Sequence, residues 1–258
     1  MSNKEFSVTP LGTVSTYCND RKNCPGFFVK YGEHKILLDC GNGISRYMKM
    51  PDDLEGLVII ISHLHSDHYG ELLSLAQTSF VFHRLGMLKN RIKVYLPEED
   101  KDLIDYTYLL NLQKESYFEF VPYKEEHRLY FDDLKLSFAR NPHPLATYST
   151  KLENDNTKLV YSSDTGYVGN SLVDFAKDAN MFICESTFLK NQKGKDDNHL
   201  TAYEAGLIAE EANVDTLLLT HFWPDIDKYE YMREARTVFP KTFVAEENIK
   251  LVLKQKTR

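Results

Sequence analysis

Residues 61–70 read ISHLHSDHYG, so that His63, His65, Asp67 and His68 form the pattern H-x-H-x-D-H directly behind the apolar run Leu57-Val58-Ile59-Ile60-Ile61. Imidazole and carboxylate are good ligands for zinc-like ions, and coordination positions left open leave room for an activating water. An extended segment leaving a buried strand sends side chains two apart to the same side, which pairs His63 with His65. A turn then lets Asp67 and His68 reach a second ion. A histidine-rich surface loop is the plain alternative, but three imidazoles and a carboxylate at the end of a core strand argue against it.

Three more strand ends of the same design follow. His143 lies in Asn141-Pro142-His143-Pro144, behind the alternating Leu134-Lys135-Leu136-Ser137-Phe138. Asp164 lies in Ser162-Ser163-Asp164-Thr165-Gly166, behind Leu159 and Val160, and His221 follows Leu217-Leu218-Leu219-Thr220. Singly, each reads as a structural turn residue. Together they point to one site, because the ends of core strands are where a fold collects residues that are distant in sequence.

With these residues the chain resembles the metallo-β-lactamase superfamily over nearly its whole length, from Leu37-Leu38-Asp39-Cys40-Gly41 to Thr220-His221-Phe222. The resemblance implies one metal on His63, His65 and His143, a second on Asp67, His68 and His221, and Asp164 bridging the two. The expected cofactor is a pair of divalent ions, zinc or manganese. Two bridged ions acidify a shared water toward neutrality, and Asp67 would also orient that nucleophile.

Protonation of the leaving group remains, and His199, in Asn198-His199-Leu200-Thr201, is the candidate acid. The plain alternative is a residue packing against a helix start. Glu185-Ser186-Thr187-Phe188 followed by His199-Leu200-Thr201-Ala202 looks like the ribonuclease Z branch of the superfamily, where the corresponding glutamate and histidine are associated with proton transfer to the leaving oxygen. That branch has serine where Leu200 stands.

The 258 residues are expected to form a single domain of α+β class, a four-layer αβ/βα sandwich with the metals at one edge between the sheets. Strands are expected at 6–10, 26–31, 35–40, 57–61, 91–96, 118–121, 128–131, 134–138, 148–151, 158–162, 181–185, 217–220 and 248–253. Helices are expected over 41–50, 70–84, 97–110, 171–177 and 201–212, the last with Thr201 as N-cap and Glu204 completing a capping box. Leu72, Leu73, Leu75 and Ala76 should turn partly inward, and Tyr106 and Tyr108 read as core residues.

No run of 18 apolar residues or signal-type h-region occurs, which points to the cytoplasm and away from membranes. Four scattered cysteines do not make a disulfide framework, and Cys18 with Cys24 has no second pair at zinc-site spacing. A net charge of −7 speaks against polyanion binding. Only 20 residues lie between His143 and Asp164, where a tRNA-processing relative normally carries its long arm, so tRNA is not expected as partner. The expected substrate is a small phosphodiester such as a cyclic nucleotide, because its alkoxide leaving group needs the Glu185/His199 pair. A lactone, carboxylic-ester or thioester hydrolase and an RNA nuclease are the alternatives, and a homodimer stays open. The loop 12–26, with Thr13, Ser15, Thr16, Arg21 and Lys22, reads equally as a phosphate contact or an ordinary connection. His34, His83 and His127 read as surface or packing residues.

Overall fold

The computed structural model describes residues 4–19, 22–167, 171–194 and 196–254, the side chain of Ile104 aside. In the first half, apolar runs separated by Gly, Asn and Asp turns give β1 (Phe6–Gly12), β2 (Gly26–Tyr31), β3 (His34–Leu38), β4 (Leu57–Ile60), β5 (Ile92–Pro97) and β6 (Phe118–Tyr123), with helices α1 (Ser66–Tyr69), α2 (Leu72–Arg84) and α3 (Ile104–Leu112). The second half gives β7 (Arg128–Phe131), β8 (Leu134–Arg140), β9 (Tyr148–Glu153), β10 (Lys158–Tyr161), β11 (Met181–Glu185), β12 (Leu217–Thr220) and β13 (Thr242–Val244). Its helices are α4 (Ser171–Ala176), α5 (Ala202–Glu211) and α6 (Lys228–Ala235), and β14 (Leu251–Val252) returns to the first half.

The strands form two seven-stranded sheets, in the orders β14-β1-β2-β3-β4-β5-β6 and β13-β12-β11-β10-β9-β8-β7. Three apolar clusters define the layers. Ile59, Val94, Leu72, Leu75 and Leu109 pack the outer face of the first sheet against α2 and α3. Val8, Phe27, Leu38, Ile60, Tyr161 and Ile183 fill the space between the sheets. Phe182, Leu217, Leu219, Ala205 and Tyr231 pack the second sheet against α5 and α6. Helix, sheet, sheet, helix is the four-layer sandwich of the metallo-β-lactamase fold. It also explains why β4 reads as an unbroken apolar run: a parallel strand covered on both faces has no solvent side to encode.

Register brings the strand ends level at one edge. Leu38 of β3 lies opposite Ile60 of β4, Tyr161 of β10 opposite Ile183 of β11, and Glu185 of β11 opposite Thr220 of β12, all in parallel pairs. The residues just beyond these ends therefore meet along one line. Two cross-sheet bonds tie that line together: Tyr148 N–H donates to the Ser62 carbonyl at 3.1 Å, and the Ser163 hydroxyl to Ser62 Oγ at 2.6 Å.

Several expected elements differ. The helix over 41–50 contracts to one 3-10 turn, Ile44–Tyr47, because Gly41 is wedged against the metal-motif loop: a Cβ there would lie 2.2 Å from the Asp67 carbonyl oxygen. The helix over 97–110 splits into a 3-10 turn, Glu98–Asp100, and α3, as both acids turn away to bond the second half. Asp100 accepts from Ala146 N–H at 3.1 Å and Glu99 from the Tyr148 hydroxyl at 2.5 Å. Leu73 is exposed, unlike Leu72, Leu75 and Ala76, and Tyr108 is exposed although Tyr106 is core. The strand over 248–253 shortens to β14, since Asn248 sits in a left-handed turn at φ 61°. Helices α1 and α6 and strand β13 are additional to the expected elements. The capping box of α5 is present as read: Glu204 N–H donates to Thr201 Oγ1 at 3.2 Å, and Thr201 N–H to Glu204 Oε2 at 2.9 Å.

Candidate metal centre

All nine candidate residues lie at the shared edge of the sheets. His63, His65, Asp67 and His68 come from the end of β4 and from α1. His143 follows β8, Asp164 follows β10, Glu185 ends β11, His221 follows β12, and His199 precedes α5. His63, His65, His143 and Asp164 form one group, and Asp67, His68 and His221 another, the ligand-type atoms in each lying within 4.8 Å of one another.

In the first group His65 Nδ1 is 3.0 Å from His63 Nε2 and 3.2 Å from His143 Nε2, while Asp164 Oδ2 is 3.5 Å from His63 Nε2. In the second, His68 Nε2 and His221 Nε2 are 3.4 Å apart and lie 3.6 and 3.5 Å from Asp67 Oδ2. A tetrahedral ion with ligand bonds of about 2.1 Å has its ligand atoms roughly 3.4 Å apart, so both groups have the spacing of a coordination shell. Asp164 faces both: Oδ2 toward His63 and Oδ1 at 3.3 Å from both His68 and His221.

The hydrogen-bond network shows which ring atoms are bare. His68 Nδ1 lies 2.8 Å from Asp39 Oδ2, an acceptor only, so Nδ1 carries the proton. His221 Nδ1 lies 2.8 Å from Thr187 Oγ1, whose own proton goes to Glu185 Oε2 at 2.9 Å. When both rings are neutral, their Nε2 atoms are lone pairs that face each other and two carboxylates. Such a contact is repulsive unless a cation lies between. Asp164 Oδ1, deeply buried, has no hydrogen-bond donor among the described residues, which a bound cation would remedy. Electrostatics agree. Burial works against charge on His68, yet Asp164, Asp67 and Asp39 hold it well above the usual imidazole range. Burial opposes charge on Asp164 as well, and the surrounding imidazoles, His221 first, nevertheless keep it well below the usual carboxylate range. The cluster is built to hold positive charge, and its donors fit divalent ions.

Asp39 joins the candidate site although the sequence reading gave it no role, and it follows a strand just as the candidate ligands do. Its carboxylate is fully buried and takes four donors: Ser62 N–H at 2.7 Å, Ser62 Oγ at 2.9 Å, Tyr161 OH at 2.7 Å and His68 Nδ1. It holds His68 in the tautomer and orientation a ligand needs. Asp39→Asn turns one acceptor oxygen into a donor facing other donors. The expected result is a 10–100-fold loss of metal affinity, read by competition with a chromogenic chelator. Unchanged affinity would mean that Asp39 only packs.

Four non-glycine residues around the site are left-handed: Thr16 at φ 63°, Asp39 at 59°, Ser163 at 52° and His221 at 61°. Each such position costs on the order of 1–3 kcal/mol and persists where its surroundings over-determine it. Here side-chain bonds do so for Asp39 and Ser163, and the Val14–Phe222 bridge holds His221 beside the 13–16 segment. Thr16 N–H donates to Asp67 Oδ2 at 2.8 Å. The loop's amide thus holds a carboxylate of the site, while Thr13 and Ser15 are buried. Arg21 lies outside the described residues, and the neighbours of partly buried Lys22 include Lys228 and Glu247.

His199 Nδ1 lies 2.9 Å from Glu185 Oε1. Glu185 is buried and fixed by Thr165 N–H at 3.0 Å, Thr187 N–H at 3.1 Å and the Thr187 hydroxyl. Burial opposes charge on His199, but Glu185 beside it raises its pKa to about 9. The ring keeps its proton at neutral pH, and Nδ1 is committed to Glu185. A cavity of about 300 Å³ opens over these groups, walled by Thr16, His65, Ser66, Asp67, Asp164, His199 and His221. Away from it, His34 pairs with Asp132, His83 stacks on Tyr117, and His127 accepts from Lys124 N–H. Cys18 and Cys24 belong to no metal-capable group among the described residues.

Residues 34–222 match the Beta-lactamase superfamily domain. The chain belongs to the β-lactamase superfamily. It is a metal-dependent hydrolase of that superfamily. It is similar to "Probable metallo-hydrolase YhfI" of Bacillus subtilis, 27% identical over 236 residues that cover 91% of this chain and 94% of the relative. The crystal structure of YhfI superposes with a TM-score of 0.86 at 24% identity, covering 96% of this chain and 99% of YhfI. Ribonuclease Z of Archaeoglobus fulgidus is 26% identical over 304 aligned positions, covering 95% of this chain and 97% of that protein. The short form of human tRNase Z has a TM-score of 0.75 at 21% identity, over 96% of this chain and 99% of that one. No helix among the described residues is long and apolar enough to cross a membrane.

Proposed function

We propose that the protein hydrolyses small phosphodiesters, cyclic nucleotides among them. His63, His65 and His143 would hold one divalent ion, Asp67, His68 and His221 a second, and Asp164 would bridge them. Bound there, two such ions supply Lewis-acid charge for a phosphoryl group and a water acidified toward neutrality. The donors are nitrogen and oxygen only, a set that suits zinc and manganese alike.

The observation that carries this reading is the Glu185–His199 couple on the cavity wall. An alkoxide leaving group requires a proton, and His199 is positioned to give it from Nε2. Glu185 keeps the ring charged and turned toward the cavity, and is itself held by two backbone amides. Asp67, bonded to Thr16 N–H, would orient the attacking water. Ester, lactone and thioester hydrolysis use the same ion ligands without calling on this couple.

Substrate size follows from what the chain lacks relative to ribonuclease Z. Their alignment runs over 304 positions, more than the 258 residues present here, so that relative carries inserted segments. The cavity volume also lies at the small end of ligand sites, which begin at about 300 Å³. We place the activity in the cytoplasm, in keeping with four free thiols.

The expected result is turnover of bis(p-nitrophenyl) phosphate and of nucleoside cyclic phosphates at enzyme concentrations that leave precursor tRNA uncleaved. Efficient, salt-sensitive 3′ processing of precursor tRNA would overturn the small-substrate reading. A lactone or thioester cleaved far faster than any phosphodiester would replace it.

A further inference from the structure

Two partly exposed aromatic side chains follow wall residues of the cavity closely in sequence and belong to none of the three apolar clusters. Trp223, the single tryptophan of the chain, follows the wall residue His221 by two positions and is 38% exposed. Tyr17 follows the wall residue Thr16 and is 41% exposed. Their rings meet edge to face at 6.3 Å and 89°. Half-exposed aromatics scattered singly need no explanation, but these two come from segments distant in sequence and meet beside two segments that supply walls of the cavity.

The pair is also held in place. The Tyr17 hydroxyl donates to Asp225 at 2.8 Å, and the backbone N–H of Trp223 donates to the buried Tyr231 hydroxyl at 3.3 Å. Beneath them the chain segments are stitched by Ser15 N–H to the Phe222 carbonyl at 2.9 Å and Phe222 N–H to the Thr13 carbonyl at 3.0 Å. The same stitching positions Thr16 and His221 at the metal centre. Little conformational freedom is left for a ligand ring to remove on binding.

We infer that Trp223 and Tyr17 form a stacking platform that selects phosphodiesters carrying a planar aromatic group, a nucleobase in particular. This rests on the phosphodiester reading and names the part of the substrate that reaches beyond the metal centre. With the phosphoryl group and its sugar in the cavity, a base that extends past Thr16 and His221 would meet the segments that carry the two rings. Every base presents a π face, and a stacking contact reads that face rather than the base edge. It selects for a base over no base and discriminates weakly among bases.

The test uses the metal-loaded enzyme and two substrates that differ only in the base: adenosine 2′,3′-cyclic phosphate and methyl riboside 2′,3′-cyclic phosphate. In Trp223→Ala the ratio of their kcat/KM values is expected to fall ten- to a hundredfold, the worth of stacking one base on an aromatic side chain. Trp223→Phe should restore most of the ratio. An unchanged ratio overturns the platform. The second measurement is the fluorescence of Trp223 in the unaltered protein. Saturable quenching by AMP and not by ribose 5-phosphate supports the platform, and equal responses to both overturn it. Should the enzyme turn over no phosphodiester, that result counts against the phosphodiester reading alone, and the quenching decides the platform.

Discussion

Asp164→Ala is expected to lower the metal content of the purified protein from about two divalent ions per chain to one or fewer, and to abolish turnover with it. Among the described residues, this carboxylate is the one whose two oxygens face both imidazole clusters, Oδ2 toward His63 and Oδ1 toward His68 and His221. Removing it leaves three neutral imidazoles at the first position and Asp67 with two imidazoles at the second. The second position loses more, because His68 and His221 would then face each other's lone pairs with one carboxylate fewer beside them. Elemental analysis after gel filtration measures the effect, and circular dichroism separates it from unfolding. Two ions per chain in a folded Asp164→Ala protein would exclude the bridging role. His63→Ala should empty mainly the first position, so the two variants together assign the ligands.

The metal motif is legible in sequence for a physical reason. His63, His65, Asp67 and His68 are contiguous, and a strand end followed by one helical turn needs no information from elsewhere to bring them together. His143, Asp164 and His221 are legible because each follows an apolar run of a covered strand. The supporting groups carry no such local mark. Thr187 acquires its role only because β11 and β12 pair in the register that sets Glu185 opposite Thr220. Thr16 reaches Asp67 through a backbone amide, which leaves no trace in residue identity. Asp39 did carry a mark, an acid at the end of Leu37-Leu38, and the strand-end argument applied to the other ligands would have found it.

The same division holds for the fold. Covered strands and the capped helix α5 are written in local patterns. Helix α6 is not, since only Tyr231 and Ala235, one turn apart, are buried in an otherwise polar stretch. Strand β13 spans three residues and exists by pairing with β12. The broken helix over 97–110 shows tertiary contacts overriding a sound local signal: acids that suit a helix start instead reach Ala146 and Tyr148 across the sandwich. Exposed Tyr108 and Leu73 lie on helix faces that an apolar residue alone cannot orient.

His199→Ala should leave metal content unchanged and lower kcat by about 10²–10⁴ for substrates with alkoxide leaving groups, the range of general acid catalysis. His199 touches the ligand set only at its border, its Nδ1 lying 4.0 Å from Asp164 Oδ2 and 2.9 Å from Glu185. Both ions should therefore survive its loss. For bis(p-nitrophenyl) phosphate the defect should be much smaller, because nitrophenolate departs without a proton, and a transition state that needs no acid loses nothing when the acid is removed. Glu185→Gln provides the complementary arm. It keeps the shape but removes the charge that raises His199, so it should show the same leaving-group dependence with a smaller loss. Equal losses for both leaving groups would make His199 a positioning residue at the start of α5. Loss of an ion would make it a ligand, and the grouping of Asp164, His199 and His221 within 4.8 Å would then describe the second site.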